Sequence, residues 1–317
     1  MTRQKSEDKH RRVTERAFAK INLFLEVTAK REDGFHELST VMHTVSLCDD
    51  IAVTEQGEGA LRAVSFYSNA HFLPRDERNL AVRAATLFAE RTGYRRAVRI
   101  DMKKCIPVAA GLAGGSSDAA AVLRAMNRLA GMPLSYGELC ALASELGSDV
   151  PFCIAGGTAL CTGRGEVMTP IEGARNLRLF TVLAIGDREK VSTPAAFSAL
   201  DAHYADFCGS VPFRAERGQA SLCRAIAGGN ARGLASCLYN SFERVILPMC
   251  PQASALKDRM LELGALGAMM SGSGPSVFGI FDSYEHAEHA AAALGEGAYL
   301  ACSASPTYMR YERKDRL

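Results

Sequence analysis

Several features are missing from this 317-residue sequence, and each absence excludes a class of protein. With only 11 prolines and 28 glycines, the composition is neither fibrous nor disordered. The longest uncharged run, residues 264–281, contains five glycines together with Ser271, Ser273 and Pro275, which does not suit a membrane helix. Charges recur up to Arg16 and leave no apolar stretch for a signal peptide.

The ten cysteines also lack a pattern that would indicate a disulfide framework or a metal site. None are spaced as Cys-x-x-Cys, and their neighbours are mostly apolar, so we expect reduced thiols in a cytoplasmic protein. His286 and His289 lie three residues apart, but the sequence offers them no third ligand. No structural metal is therefore predicted.

The net charge is only +2, from 37 basic and 35 acidic residues, and the basic excess lies at the two ends. Residues 1–16 hold six basic and three acidic side chains, and residues 310–317 hold four and two. Both ends are predicted to be solvated and mobile. We therefore expect neither a nucleic-acid partner nor a membrane partner.

Apolar residues alternate with other side chains from Arg16 to Thr28, which predicts a strand with Lys20 and Asn22 on one face. Further strands are predicted at 41–53, either continuous or with a bend at 49–50, and at 61–67, 98–102, 177–185, 267–271, 277–281 and 298–303. Helices are predicted at 79–92, 118–131, 136–146, 194–202, 219–227, 251–263 and 283–294, and a charged loop at 187–190. This mixture predicts an α+β or α/β protein.

A glycine-rich segment, residues 106–117, is uncharged and lies between a predicted strand and an alanine-rich helix. Its glycines let a bulky group approach the backbone, and the following helix begins with N–H groups that suit a phosphate. Ser116 and Ser117 add hydroxyls that can contact phosphate or Mg²⁺. The same residues also fit an ordinary strand-to-helix turn capped by serine.

Other nucleotide-binding patterns are absent from the sequence. No Gly-Lys dipeptide occurs, which excludes a P-loop, and no His-Arg-Asp occurs, which excludes the protein-kinase motifs. The segment also departs from Gly-x-Gly-x-x-Gly, which disfavours a Rossmann dinucleotide site.

Three motifs, in this order along the chain, resemble those of the GHMP small-molecule kinases: Ala19–Leu23, Pro107–Ala120 and Ser271–Phe278. Two more segments, Arg31–His36 and Gly147–Phe152, resemble family members whose substrate carries cytidine diphosphate. The resemblance implies transfer of the γ-phosphoryl group of ATP to the 2-hydroxyl of a cytidine-diphosphate-linked methylerythritol in non-mevalonate isoprenoid synthesis. The alternatives are a homoserine or mevalonate type of kinase, whose substrates have no pyrimidine, and a non-catalytic binding protein of the same fold.

The resemblance also implies the domain organisation. It predicts an α+β, two-domain GHMP kinase fold. A ribosomal protein S5 domain 2-like ATP-binding domain is expected at 17–168 and a ferredoxin-like domain at 169–305, with tails at 1–16 and 306–317. A monomer or weak dimer is expected, with ATP as co-substrate together with Mg²⁺.

Lys20 and Asp149 are the catalytic residues that the resemblance implies. Lys20 would orient the carboxylate and balance charge near the attacking oxygen, and Asp149 would act as a base or orient the substrate hydroxyl. From local sequence alone, Lys20 and Asn22 also fit the solvent face of an edge strand. Asp149 also fits a helix cap.

A cytosine site is implied by the resemblance at two segments. His36 would hydrogen-bond the base, Phe35 would stack on it where many relatives carry tyrosine, and Phe197 would complete the sandwich. Thr193 and Asn22 are implied as further substrate contacts. Locally, Phe35 and His36 also fit a turn followed by a core aromatic, and Phe197 also fits the core face of a helix.

The implied ATP contacts are Pro107, Val108, Ala109, Ala110, Gly111, Leu112, Ala113, Gly114, Gly115, Ser116 and Ser117, with Lys104 and Asn79 in addition. Lys104 also fits a solvated strand end. Alanine at 109, 110 and 113 allows a close backbone approach only where φ is negative. The third motif, Ser271–Pro275, is expected to brace this loop, although it also fits a hairpin turn.

Overall fold

The computed structural model describes residues 11–56, 63–186, 191–205 and 215–304. The strands are β1 (Arg12–Lys30), β2 (His36–Glu55), β3 (Val64–Ser68), β4 (Val98–Lys103), β5 (Thr158–Thr162), β6 (Val167–Pro170), β7 (Phe180–Ile185), β8 (Tyr239–Asn240), β9 (Gly267–Met270), β10 (Ser276–Phe281) and β11 (Ala298–Cys302). The helices are α1 (Leu80–Thr92), α2 (Gly114–Leu129), α3 (Tyr136–Ser144), α4 (Val150–Ala155), α5 (Thr193–Ala205), α6 (Ala215–Ala227), α7 (Ala231–Ala235), α8 (Glu243–Ile246), α9 (Pro251–Glu262) and α10 (Tyr284–Leu294). The predicted mixture of strands and helices is confirmed.

The chain divides into two compact units, each built from separate stretches of sequence. The first unit comprises the described residues of Met1–Ala17, Cys48–Cys105 and Gly115–Ile154. The second comprises those of Phe18–Leu47, Ile106–Gly114 and Ala155–Leu317. The predicted domain boundary after residue 168 stays a prediction.

In the first unit, strands and helices share one apolar interior. The end of β2 pairs antiparallel with β4, and β3 pairs parallel with β4. Phe88 of α1, Ile100 of β4 and Leu123 of α2 are fully buried. Asn79 caps α1 with its side chain, and Gly93 ends that helix with a left-handed φ of 71°.

The second unit contains a four-stranded antiparallel sheet in the order β11-β7-β10-β9. Ile280 pairs with Thr181 of β7 and with Gly267 of β9, which fixes the register. β2 pairs with β5, β5 with β6, and β1 with β8. Phe278 of this sheet and Ile21 and Leu23 of β1 are buried in one apolar cluster.

Three element boundaries differ from the predictions. β1 begins at Arg12 rather than Arg16, because the Glu15 carboxylate is buried against Arg124 and Arg128, so residues 12–16 are strand and not a mobile end. α2 begins at Gly114, which makes Asp118 its fifth residue. β2 continues through Asp49, whose side chain is fully buried, rather than bending there.

Three strands were not predicted from the sequence, and some predicted features lie outside the described residues. The short strands β5, β6 and β8 were not predicted, since segments of two to five residues carry little periodicity. The ends at 1–10 and 305–317 and the charged loop at 187–190 lie outside the described residues. None of the helices in the described ranges is both long and apolar enough to cross a membrane.

Candidate active site

Lys20 and Asn22 lie side by side on β1, as the period of two predicts. The Lys20 ammonium donates to Asn22 Oδ1 at 2.7 Å, and Asn22 Nδ2 donates to the Thr40 hydroxyl at 2.8 Å. Lys20 is 5% exposed and Asn22 1%. The solvent face of an edge strand is therefore excluded, because the polar face of β1 is buried as well as its apolar face.

The glycine-rich segment and the third motif meet within the second unit. Ser271 donates its hydroxyl to the Gly111 carbonyl at 3.2 Å, and the Ser276 N–H donates to the Ala110 carbonyl at 3.3 Å. A Cβ on Gly111, whose φ is +77°, would lie 2.5 Å from the carbonyl oxygen of Ser271 and 3.0 Å from that of Gly274. The close approach thus requires glycine at 111, and the expected bracing contact is present.

The same motif also reaches the candidate catalytic lysine. A Cβ on Gly272 would lie 3.6 Å from Asn22 Oδ1 and 3.7 Å from Lys20 Nζ. The Lys20 N–H donates to the Leu112 carbonyl at 3.1 Å. The first motif, the third motif and the Pro107–Gly114 part of the second therefore meet at Lys20 in the second unit.

Two alanines of the segment adopt the left-handed conformation. Ala109 has a φ of 59° and Ala113 a φ of 56°. A close backbone approach at an alanine is expected only with a negative φ, and the structure has a positive φ at both positions. An L-residue pays about 1–2 kcal/mol for this backbone conformation, so the segment keeps its shape against local strain.

The remainder of the proposed ATP contacts lie in the first unit. Gly115, Ser116 and Ser117 form the first turn of α2, where backbone N–H groups point beyond the helix end. Asn79 is already engaged, since its Oδ1 accepts from the Ala81 N–H at 3.0 Å and its Nδ2 donates to the Pro74 carbonyl at 2.9 Å. Its contact with ATP stays a prediction.

Asp149 lies in the first unit, directly before α4. Its carbonyl accepts from the Cys153 N–H at 3.1 Å, so it occupies the capping position that its sequence suggested. Its side chain is half-buried. Because Lys20 belongs to the other unit, joint action of the two residues stays a prediction.

Lys104 is a buried side chain and not a solvated strand end. Its ammonium lies 2.6 Å from Oδ2 of Asp49 and 2.6 Å from Oδ2 of Asp118. The Lys104 side chain is 6% exposed. No local sequence pattern connects Asp49 to Lys104, because the two residues lie 55 positions apart. We call these three residues the Lys104 triad.

His36 is held on two sides within the second unit. Its Nε2 lies 2.7 Å from Asp201 Oδ1, and its ring stacks on Phe197 with 4.5 Å between centroids and 17° between planes. Lys30 donates to the other oxygen of Asp201 at 2.7 Å. Although burial would raise the pKa of Asp201, the hydrogen bonds from Lys30 and His36 lower it overall.

Phe35 and Phe197 have different surroundings in the second unit. Phe35 is 53% exposed, and the Arg164 guanidinium lies 4.7 Å over its ring. One face of Phe197 is covered by the His36 imidazole, and the edge of Phe242 packs on it with 4.9 Å between centroids. The cytosine sandwich stays a prediction.

Thr193, the first residue of α5, connects the helix that carries Phe197 to the third motif. Its hydroxyl lies 3.3 Å from that of Ser273. Thr193, Phe197 and Asp201 are spaced by four residues on α5, so they share one helix face. That spacing could have identified Asp201 from the sequence once Phe197 was chosen, whereas nothing local indicated Arg164 or Thr40.

Within the described ranges, no group of three histidine, cysteine or acidic side chains is arranged to hold a metal ion. The nine cysteines in those ranges are free thiols, and Cys208 lies outside them.

Two family models match the chain. The model for the GHMP kinases N terminal domain matches residues 79–157, and the model for the GHMP kinases C terminal domain matches residues 220–300. The two ranges contain the whole of the second and third motifs.

Similar proteins match most of the length of this chain. A 4-diphosphocytidyl-2-C-methyl-D-erythritol kinase of Gloeobacter violaceus is 43% identical over 279 residues, which cover 88% of this chain and 89% of that protein. One of Bacillus licheniformis is 44% identical over 275 residues, covering 85% and 88%.

Solved structures agree with these relatives. A crystal structure of 4-(cytidine 5'-diphospho)-2C-methyl-D-erythritol kinase has a TM-score of 0.75 at 34% identity, covering 92% of this chain and all of that one. The L. major mevalonate kinase in complex with R-mevalonate has a TM-score of 0.72 at 15% identity, covering 94% and 98%. The second likeness concerns the fold alone.

Proposed function

The chain belongs to the 4-diphosphocytidyl-2-C-methyl-D-erythritol kinases of the GHMP kinase family, and from this premise we propose which of its residues carry out the reaction. It is an ATP-dependent small-molecule kinase. The γ-phosphoryl group passes from ATP to the 2-hydroxyl of 4-diphosphocytidyl-2-C-methyl-D-erythritol, giving the 2-phosphate and ADP in isoprenoid precursor synthesis. The acceptor hydroxyl loses its proton as the new O–P bond forms.

Lys20 supplies positive charge near the attacking oxygen in this proposal. Its bond to the Asn22 amide oxygen fixes the position of the ammonium, and the amide itself is neutral. Asp149 accepts the hydroxyl proton or orients the hydroxyl. Phosphoryl transfer depends mostly on such positioning and charge stabilisation, since its transition state is loose.

The triphosphate is proposed to bind along Pro107–Ser117. The N–H groups of the first turn of α2 favour an anion there. Mg²⁺ would enter with ATP, held mainly by phosphate oxygens and water, with Ser116 and Ser117 as the nearest hydroxyl donors in sequence. Asp118 does not fit as a magnesium ligand, because Lys104 already provides the cation for its carboxylate.

His36 is proposed to recognise the cytosine amino group. A carboxylate can only accept a hydrogen bond, so the contact with Asp201 places the ring proton on Nε2. In the neutral ring, Nδ1 is then an acceptor, which matches the N4 amino donor of cytosine and mismatches the O4 acceptor of uracil. Phe35 offers an exposed ring face for stacking.

The observation that carries the proposal is the meeting of the first motif, the third motif and the Pro107–Gly114 part of the second at Lys20, together with the His36–Phe197 pair in the same unit. Homoserine and mevalonate kinases share the fold at 19% and 15% identity, which provides no support for their substrates here. A reducing, cytoplasmic location is also proposed, supported by the free thiols of the described cysteines.

The substrate assignment is tested by ADP release with the cytidylated methylerythritol, homoserine and mevalonate side by side. We expect release with the first only. A uridine-linked analogue of the same alcohol should be a poor substrate if His36 acts as described. Release with homoserine or mevalonate alone would refute the substrate and leave the kinase family intact.

A further inference from the structure

The Lys104 triad concentrates three ionisable groups in the interior of the first unit. The Lys104 ammonium contacts the two carboxylates at 2.6 Å each, and the exposed fractions are 6% for Lys104, 6% for Asp118 and zero for Asp49. Burial of this degree is rare for charged groups unless they are paired. The triad is therefore a specific arrangement and not a surface ion pair.

The two carboxylates are not equivalent. Both oxygens of Asp49 are engaged, since Oδ2 accepts from Lys104 and Oδ1 accepts from the Cys105 N–H at 2.5 Å. Asp118 Oδ1 is buried without a hydrogen-bond partner among the described residues. Burial raises the pKa of Asp118 against the opposing charge of Lys104, and Asp49 adds to the rise. A neutral Asp118 can still accept from Lys104.

The position of the triad along the chain gives it a role beyond packing. Lys104 and Cys105 directly precede the glycine-rich segment, and Asp118 directly follows it. The Lys104 backbone is fixed as well, because its N–H donates to Asn69 Oδ1 at 2.7 Å and its carbonyl accepts from Asn69 Nδ2 at 3.1 Å. The triad thus joins the two ends of residues 106–117.

We propose that Asp118 and Asp49, acting through Lys104, are positioning residues that set the spacing between the two ends of the nucleotide-binding segment. The inference rests on the proposed role of that segment in binding ATP. Lys104 then acts through the backbone, because two of its three ammonium protons are donated to carboxylates. Asp118 also sits in α2 just after the turn whose N–H groups face the phosphates, so its displacement moves that turn.

The test uses the full chain with Asp118→Leu, Lys104→Met and the conservative Asp118→Asn. Displacement of the segment should raise KM for ATP about tenfold in the first two variants, a change typical of misplaced binding groups, while KM for the cytidylated substrate stays constant. Asp118→Asn retains an oxygen that accepts from Lys104 and should restore most of the ATP affinity. The rise in Tm caused by ATP, measured without the second substrate, should shrink in parallel.

Glu55→Gln provides the matched control, because Glu55 is an equally buried carboxylate of the same unit whose partners are Tyr94 and Arg96. It should lower Tm without changing KM for ATP. Unchanged KM for ATP in both Asp118→Leu and Lys104→Met would overturn the inference. If Asp118→Leu does not fold, Asp49→Asn takes its place in the test. Failure of the proposed function is separate, since the wild-type chain would then release no ADP with the cytidylated substrate.

Discussion

Two buried lysines, one in each unit, are held by partners of different chemistry. Lys20 donates to a neutral amide at 2.7 Å, whereas Lys104 donates to two carboxylates at 2.6 Å. Lys20 is 5% exposed as a whole residue, and the side chain of Lys104 is 6% exposed. Burial of a lysine therefore does not indicate its role. The Asn22 amide contributes no charge at Lys20, whereas the two carboxylates at Lys104 offset the charge of that ammonium.

The largest effect that would test this contrast is on turnover. Lys20→Met and Asp149→Asn should each reduce kcat by about a hundredfold or more, because each removes charge stabilisation or orientation that the transition state needs. ATP should still bind. Steady-state ADP release and nucleotide-induced Tm shifts measure the two quantities separately.

The contrast is sharpened by two further lysine variants. Lys104→Met should change KM for ATP and Tm rather than abolish turnover, and Lys103→Met, on the exposed face of β4, should change neither. Near-wild-type kcat for Lys20→Met would remove the distinction between the two buried lysines.

The next effect concerns the stacked pair His36 and Phe197 of the second unit. Phe197→Ala should raise KM for the cytidylated substrate about tenfold, since loss of aromatic support for a base costs about 1–3 kcal/mol. KM for ATP should stay unchanged. Substrate-dependence curves at saturating ATP provide the measurement.

Phe180→Ala is the control for this change, because Phe180 is an aromatic residue of the same unit whose ring packs at 87° to that of Tyr284. It should lower Tm and leave both KM values constant. Equal increases in the two KM values for Phe197→Ala would show general disruption of the fold and refute a cytosine role.

A smaller effect is expected where the glycine segment meets the third motif. Gly111→Ala places a Cβ 2.5 Å from the Ser271 carbonyl oxygen in addition to its left-handed strain, whereas Gly131→Ala carries the strain alone, with nothing within 4 Å. The strain costs about 1 kcal/mol in both. Only Gly111→Ala should also raise KM for ATP.

Urea unfolding of the two variants, together with ATP titrations, gives the comparison. If the two substitutions lower stability equally and neither changes KM for ATP, the contact between the segment and the third motif is unimportant for the nucleotide.

The last comparison involves a third buried basic group, held by hydroxyls. His43 bonds Thr158 at 2.8 Å and Ser303 at 3.0 Å, and burial lowers its pKa from 6.5 to about 4. Because the unfolded state takes up the proton first, stability is lost as the pH falls from about 6.5 to about 4, by about 3 kcal/mol at most. Urea unfolding at several pH values measures this loss.

His43→Gln should flatten the acid side of that profile, since an amide can bond both hydroxyls without titrating. His286→Gln, at a side chain that is 68% exposed, should leave the profile unchanged. An unaltered slope in His43→Gln would assign the acid sensitivity to other groups.

Periodicity and end signals predicted most elements. The Asn79 cap and Gly93 stop located α1, and alternation located β1, because these signals act over a few neighbouring residues. The same alternation could not show that the Lys20 face is buried. Burial depends on the tertiary packing of residues distant in sequence, such as Thr40 and Gly272.

The candidate site was predicted from motifs more fully than from local chemistry. The motifs placed Lys20, Gly111 and Ser271 in one site, and the structure brings these three together in the second unit. The triad partner Asp49 carried no signal, because its pairing with Lys104 arises only when β2 and β4 align. The stacking of His36 on Phe197 likewise depends on the packing of residues that are distant in sequence.

The buried contact between Glu15 and α2 has a practical consequence for shortening the chain. The charge pattern suggests trimming to Ala17, yet Arg124 is 1% exposed and bonds Glu15 at 3.0 Å and the Arg16 carbonyl at 2.9 Å. Trimming there would leave a guanidinium in the interior without its counter-ion, at a cost of about 3–5 kcal/mol. Protein engineers who want a smaller, still foldable version should begin it before Arg12.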